Sequence, residues 1–383
     1  MSKSNSEKFI HLEWARGIAS IIVVFHHFVL AYLPALKAPY IAGGLKYTPA
    51  YALMNGNGAV IFFFVLSGFV LSYGYFRRPS LPSLVGSVIK RLPRLMLPAG
   101  LSILIGLLIL GLLPPFFAAA GAKTGSLWLA HFGNAFFPEG FQPGLADALR
   151  QSLMVFLHEN DAYYNTNLWT MNFEFYGSMI VFFGLMLFSM KERGRLPLLV
   201  FLIVFPVWFA LFNFRFVPFF SGMILSYLIA VRGVTISLSG LSTALLLLMA
   251  LFGFMSDDWM SCNLGSVALM VALLGNKGLA ARFSGVWSNR IGILSFPLYL
   301  VHTLVIVSVT SALYVMLDDA GVSRGVSVPA CLIVTLIVAF IASLPFIYLE
   351  KKWVPLLNSL TKRLTGRLFD KSSSTADAVV SKA

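Results

Sequence analysis

The sequence has only two cysteines in 383 residues, Cys262 and Cys331, too few and too far apart for a disulfide framework or a paired metal-ligand spacing. Cys331 lies in an apolar run and reads as a small core residue. Charge is also scarce, at 11% of residues against roughly a quarter in soluble domains, which argues against an ordinary soluble globule. Glycine-rich phosphate loops are absent, which disfavours an ordinary ATP site. No internal repeat is visible, and no span-free stretch is long enough for a second soluble domain. What is present is hydrophobic: 58% of residues are apolar and mean hydropathy is +0.84, the composition of a polytopic membrane protein. A net charge of +13 invites a nucleic-acid reading. The Lys and Arg residues, however, sit in short clusters between apolar runs, where they fix topology.

Ten apolar stretches approach membrane-spanning length: 13–35, 57–76, 95–117, 168–190, 196–212, 216–231, 237–255, 260–276, 291–316 and 327–349. The expected fold is therefore all-α, a polytopic transmembrane bundle of about ten helices. Most basic residues then fall on one side, including Arg77, Arg78, Lys90, Arg91, Arg94, Arg193 and Arg195, which places both termini in the cytoplasm. The first run carries Arg16, His26 and His27 and is followed by many others, so it reads as an uncleaved helix rather than a leader. Residues 118–167 mix Gly, Pro and aromatics and are expected to fold over the outer mouth. The pairs Asp257–Asp258 and Asp318–Asp319 fall outside and read as solvated loop and helix-end residues, with metal binding as the alternative.

Ionisable side chains inside spans cost roughly 2.5–3.5 kcal/mol each at the bilayer centre and mark functional sites by default. Arg16 and His27 lie eleven residues apart, three helical turns plus about 20°, so they share one face and stand about 16 Å apart along the axis. Such a stripe can hold an extended anionic ligand, its polar end at Arg16 and its reactive end at His27. The plainer readings are a snorkelling anchor for Arg16 and a packing hydrogen bond for His27. His26 points about 100° away and reads as structural. Glu174 shares a face with Thr170 and Ser178; a buried carboxylate there can orient a histidine or simply pair helices together. Ser295, Tyr299 and His302 form another stripe beside Pro297. Trp169 sits at the outer interface. Ser67 and Gly68 read first as small packing residues. Arg91 and Arg94 are one turn apart, and anchoring or bidentate phosphate binding remain open for them.

Taken together these elements resemble the acyltransferase 3 family of integral membrane acyltransferases. The family's Arg, ten residues, then His in the first helix is similar to Arg16 and His27. Its FFxLSGF element resembles "FFFVLSGF" at 62–69, and its Arg-x-x-Arg element resembles Arg91–Arg94 followed by Pro98. Its W-S-L-x-x-E-x-x-F-Y element resembles "WTMNFEFYG", with Trp169, Glu174 and Tyr176, although Thr170 and Met171 replace Ser and Leu and the second half is compressed. Its Y-L-x-H element matches Tyr299 to His302.

The resemblance implies an O-acyltransferase of the cell (inner, cytoplasmic) membrane that moves an acyl group, acetyl by default, from cytoplasmic acyl-CoA to a hydroxyl of an extracytoplasmic or membrane-bound carbohydrate. His27, Arg16 and Glu174 are the expected catalytic residues. Arg91, Arg94 and Arg16 are the expected donor-binding residues, with Trp169, Tyr299, His302 and Ser67 in support. Acyl-CoA is a co-substrate; no metal or other cofactor is expected, nor any nucleic-acid partner. Residues 1–355 are expected to form the transmembrane acyltransferase domain and residues 356–383 a cytoplasmic, disordered tail. Some relatives carry an SGNH hydrolase-like domain after the bundle; here the expectation is a separate periplasmic partner enzyme. A secondary transporter with an intramembrane Arg/His/Glu pathway is the alternative, but it would usually show a repeat and paired interrupted helices. A scaffold whose polar groups only join helices is a third reading.

Overall fold

The computed structural model describes residues 9–158, 162–190 and 192–380, with side chains from 193 onward described to residue 369. The described chain is helical throughout, with no strand beyond an isolated bridge between Pro39 and Lys46. The helices are α1 (Ile10–Tyr32), α2 (Gly56–Arg77), α3 (Leu81–Leu112), α4 (Phe116–Thr124), α5 (Leu127–Ala130), α6 (Leu145–Met154), α7 (Trp169–Ser189), α8 (Glu192–Phe212), α9 (Val217–Ala230), α10 (Gly240–Phe254), α11 (Trp259–Gly275), α12 (Lys277–Arg282), α13 (Val286–Val305), α14 (Ser311–Asp319) and α15 (Arg324–Val380). A π-helical segment, Ile306–Thr310, joins α13 to α14.

Each of the ten expected apolar stretches is helical. Among the described residues, seven helices are long and apolar enough to cross a membrane, and the stretches Phe214–Ala230, Gly240–Phe254 and Trp259–Gly275 are shorter. The chain is thus a multi-pass membrane protein. Helix α3 begins well before the expected position 95. Pro93 and Pro98 lie inside it, because a long apolar helix tolerates proline where neighbouring helices take up the freed backbone groups. Trp353 of α15 donates its indole N–H to the Pro93 carbonyl at 3.0 Å and ties this turn of α3 to α15. The expected tail from 356 continues α15 through the last described side chains; residues 381–383 lie outside the described residues.

Small residues let the central helices approach closely. A Cβ at Gly68 in α2 would collide with the Phe219 carbonyl of α9, and one at Gly222 with the Val65 carbonyl. Helices α1 and α13 meet in the same way: Gly17 lies under Ile291, and Gly292 under Glu13. Their contacts advance together along both chains, from Arg16 with Gly292 through His27 with His302 to Tyr32 with Ile306. The two helices are therefore parallel. This pairing sets the polar face of α1 against α13.

The described part of the stretch 118–167 carries α5, α6 and most of α4 and packs down on the bundle. Ser126 donates to the Leu30 carbonyl at 2.6 Å and accepts from the Leu129 N–H, capping α5 while tying it to the end of α1. Asn165 donates to the Leu300 carbonyl at 2.8 Å and to Ser102 at 3.0 Å. The stretch is thereby pinned to α1, α3 and α13.

Candidate active site

His27 and His302 face each other where α1 meets α13. His27 Nδ1 is 3.0 Å from His302 Nε2 and 3.1 Å from the Val23 carbonyl. A carbonyl only accepts, so His27 Nδ1 carries the proton. His302 Nδ1 is 2.9 Å from the Leu298 carbonyl and carries its proton by the same argument. His302 Nε2 then presents a lone pair, and donors surround it: His27 Nδ1–H and the Asn167 amide nitrogen at 3.1 Å. These assignments follow from the hydrogen-bond network. The nitrogen left free, with its lone pair, is His27 Nε2.

His302 is itself held firmly. It is fully buried, and Asn167 also donates to the Tyr299 carbonyl at 2.7 Å. Tyr299 shares a 2.6 Å hydrogen bond with Thr170 and donates to the Asn167 carbonyl. The "YLVH" stripe of α13 and the start of α7 thus lock together under the histidine pair.

Above His27 lies a cavity of about 260 Å³. Its walls include His27, Trp128, Asn134, Phe136, Thr166 and Trp169. Trp128 stacks on the His27 ring, 5.2 Å between centroids at 27°. A second, apolar cavity of about 80 Å³, walled in part by Trp14, Ile18, Ile22, Ala59 and Phe254, lies on another face of α1.

Towards the other end of α1 the side chains are charged. Arg16 donates to the Gly292 carbonyl at 2.9 Å and pairs with Glu13 at 2.5 Å. Its Nε is buried without a hydrogen-bond partner among the described residues. Arg94 on α3 is exposed, and electrostatic interaction links it to Arg16, Arg91, Glu174 and Glu350. Arg91 points inward instead. It is buried, pairs with Glu174 and donates from Nε to Ser178 at 2.8 Å. Ser67 on α2 donates to the same Glu174 oxygen at 2.6 Å. This pair joins α2, α3 and α7.

The structure therefore gathers the expected residues into two groups. His27, His302, Tyr299 and Trp169 stand around the cavity or directly beneath it. Arg16, Arg91, Arg94, Glu174 and Ser67 lie towards the Arg16 end, and the described bonds of Glu174 run to Arg91 and Ser67 rather than to His27. Between Arg16 and His27, Ser20 and Val23 are both buried, so the stripe is closed along its middle. Sequence reasoning missed Trp128, Asn134 and Thr166. They come from the stretch between α4 and α7, whose closure over α1 carries no periodic signal; only the indole in "SLWLAHFGN" hints at a wall.

The acidic residues have partners within the fold: Asp258 caps α11 by accepting the Ser261 N–H at 2.8 Å, and the other three take cations. Asp257 takes Lys46 at 3.2 Å, Lys37 at 3.6 Å and the Tyr51 hydroxyl at 2.7 Å. Burial works to raise its pKa, but the Tyr51 hydrogen bond and the two lysines hold it below the usual carboxylate value. Asp318 and Asp319 both take Lys123.

A family model described as an acyltransferase domain matches residues 9–344. No curated protein and no solved structure matches the chain.

Proposed function

This chain belongs to the acyltransferase 3 family, and from that premise we propose that it moves an acyl group, acetyl by default, from cytoplasmic acyl-CoA to a hydroxyl of an extracytoplasmic or membrane-bound carbohydrate. The family makes it a membrane O-acyltransferase, which sets aside the transporter and scaffold alternatives. The observation that carries the finer reading is the free His27 Nε2 at the wall of the cavity, with His27 Nδ1–H held by His302.

In the proposed reaction His27 Nε2 takes the proton of the acceptor hydroxyl. The oxygen attacks the thioester carbonyl, the C–S bond breaks, and the departing thiolate takes the proton from the imidazolium. The products are an ester and the free thiol, and no net charge is left in the membrane. His302 is a positioning residue. Its Nε2 lone pair keeps the His27 proton on Nδ1 and stabilises the imidazolium while it lasts. The same free nitrogen can act as an acyl carrier; release of one equivalent of thiol without acceptor identifies that route.

The donor reading rests on the Arg16 end. Arg94 is exposed and the Arg16 side chain is 38% exposed, so both can meet phosphate oxygens. Arg91, neutralised by Glu174, fixes the turn of α3 that presents Arg94. The thioester then reaches His27 about 16 Å further along α1, and the buried Ser20–Val23 stretch must part to admit the arm. Glu174 acts through this frame.

The parallel packing of α1 and α13 bears on topology. Parallel neighbours need an odd number of crossings between them. Counting α2, α3, α7 and α8 gives four, and adding α9, α10 and α11 gives seven. We therefore propose ten spans, with both termini in the cytoplasm and the cavity facing outward from the cytoplasmic membrane. Carbohydrate as acceptor, and a separate partner enzyme on the outer side, belong to the same proposal.

The test is purified full-length protein in nanodiscs with labelled acetyl-CoA. Thioester cleavage is expected to fall by about 10²–10⁴-fold in His27→Ala while thermal unfolding stays unchanged. Equal cleavage by wild type and variant overturns the reading.

A further inference from the structure

The cavity above His27 has a chemistry of its own. Three aromatic side chains, Trp128, Phe136 and Trp169, wall it, and two uncharged polar side chains, Asn134 and Thr166, stand among them. Neither Asn134 nor Thr166 makes a side-chain hydrogen bond among the described residues, although almost every polar group around the neighbouring His302 is paired. Groups left unpaired at a cavity wall are available to a ligand.

The backbone presents these groups at a cost. Phe132, Gly133 and Asn134 are consecutive residues with φ of 51°, 75° and 64°. Glycine adopts the left-handed region freely and Asn tolerates it, so the strain falls on Phe132, and such strain collects at binding sites. The strained turn is held by Asn134 N–H to the Trp128 carbonyl at 2.9 Å and Ala135 N–H to the His131 carbonyl at 2.7 Å. It turns the chain from α5 back over His27. Gly133 sits so close to Thr166 that a Cβ there would stand 2.7 Å from its hydroxyl and 3.3 Å from the Trp128 ring. The turn therefore brings Asn134, Thr166 and Trp128 together as one unit.

We infer that this cavity is a one-ring acceptor subsite: a single pyranose ring lays its C–H face on the aromatic walls, Asn134 and Thr166 read its hydroxyls, and one further hydroxyl meets His27 Nε2. This rests on the proposed transfer to carbohydrate and adds which residues hold the acceptor and how much of it enters. Aromatic walls with a few convergent polar groups suit a ligand whose faces are apolar and whose rim is hydroxylated. The volume limits the rest. At about 260 Å³ the cavity falls just below the roughly 300–1,000 Å³ of pockets that enclose drug-sized molecules. One ring fits; a second must stay outside, where Phe136, 69% exposed, offers a further face. The uncharged walls also match a neutral ring better than a phosphate or carboxylate. Asn134 supplies two donors and an acceptor, Thr166 one of each, so an acyclic polyol that cannot hold its hydroxyls in one plane satisfies them less well.

The test uses the full-length protein in nanodiscs and saturation-transfer NMR with methyl β-D-glucopyranoside and methyl α-D-galactopyranoside, with sorbitol as the acyclic control. Expected is saturable binding of at least one pyranoside, displaceable by the unlabelled sugar, at a Kd well below that of sorbitol. Asn134→Ala and Thr166→Val are each expected to weaken it by about fivefold to tenfold, the loss of one or two hydrogen bonds, with thermal unfolding unchanged. Pyranosides that bind no better than sorbitol, or binding indifferent to both substitutions, overturn the subsite. Acetyl-CoA cleavage is read in the same samples. His27-dependent cleavage without pyranoside binding sinks the subsite and leaves the transfer reading standing. Asn134-dependent binding without His27-dependent cleavage does the reverse.

Discussion

The two ends of α1 solve the same problem in opposite ways. At the Arg16 end, polar groups are charged and compensated by charge: Arg16 with Glu13, Arg91 with Glu174. At the His27 end they are neutral and compensated by a directed chain of hydrogen bonds from His27 to His302 to the Leu298 carbonyl. The difference teaches what each end can afford to expose. A compensated ion pair tolerates a wet surface and attracts an anion through a neighbouring cation that makes no ion pair among the described residues, here Arg94. A neutral chain leaves one lone pair bare, His27 Nε2, and that is useful only where water is limited and the partner is placed by other walls.

The comparison breaks most visibly at the charged end. Glu174→Ala leaves the buried Arg91 guanidinium without its counter-charge and is expected to destabilise the fold by about 3–5 kcal/mol, read as a lower unfolding temperature in detergent. Replacing both partners, Arg91→Met with Glu174→Leu, is expected to recover most of that loss; no recovery would mean that the pair is not what Glu174 is for. At the neutral end, His302→Leu is expected to reduce turnover by about 10–100-fold, the size of loss seen when a metal-bound histidine loses its orienting partner. His302→Gln, whose amide oxygen accepts from His27 Nδ1–H, is expected to regain much of it. A rate equally low in both variants would assign His302 to packing alone.

A smaller effect separates the ends by substrate. Arg94→Gln is expected to raise the KM for acyl-CoA by about tenfold, the loss of one charge-assisted hydrogen bond, with kcat held and the effect shrinking as salt rises. A fall in kcat without a change in KM would place Arg94 elsewhere. The smallest concerns the tie at Asp257. Its folded-state pKa lies below the usual 3.8, so its contribution to stability is fully present above pH 3.8 and is lost as pH falls through the lower folded value. Unfolding temperature is expected to hold down to about that point and then to drop more steeply in the wild type than in Asp257→Asn.

Much of this was legible from spacing. Three turns between Arg16 and His27 put them on one stripe, and the structure lays that stripe against a single helix, α13. The apolar runs became helices where expected. What spacing could not carry was the meeting of distant segments. Arg91 lay just before the expected third span, where anchoring and phosphate binding both stayed open; in the structure α3 starts earlier and the residue turns inward to Glu174. His302 was visible as a buried histidine, but its partner lies 275 positions away. Trp128, Asn134 and Thr166 were hidden because their role depends on a strained turn that no periodicity encodes.

One contact has an optical consequence. Trp128 lies flat over the His27 ring, and an indole is sensitive to charge arriving on a ring it faces. In the proposed reaction His27 gains a proton or an acyl group, and the emission of that one tryptophan should change as it does. The enzyme thus carries its own indicator: in a chain whose other six tryptophans are replaced by phenylalanine, stopped-flow fluorescence would time the chemistry directly, without label or coupled assay.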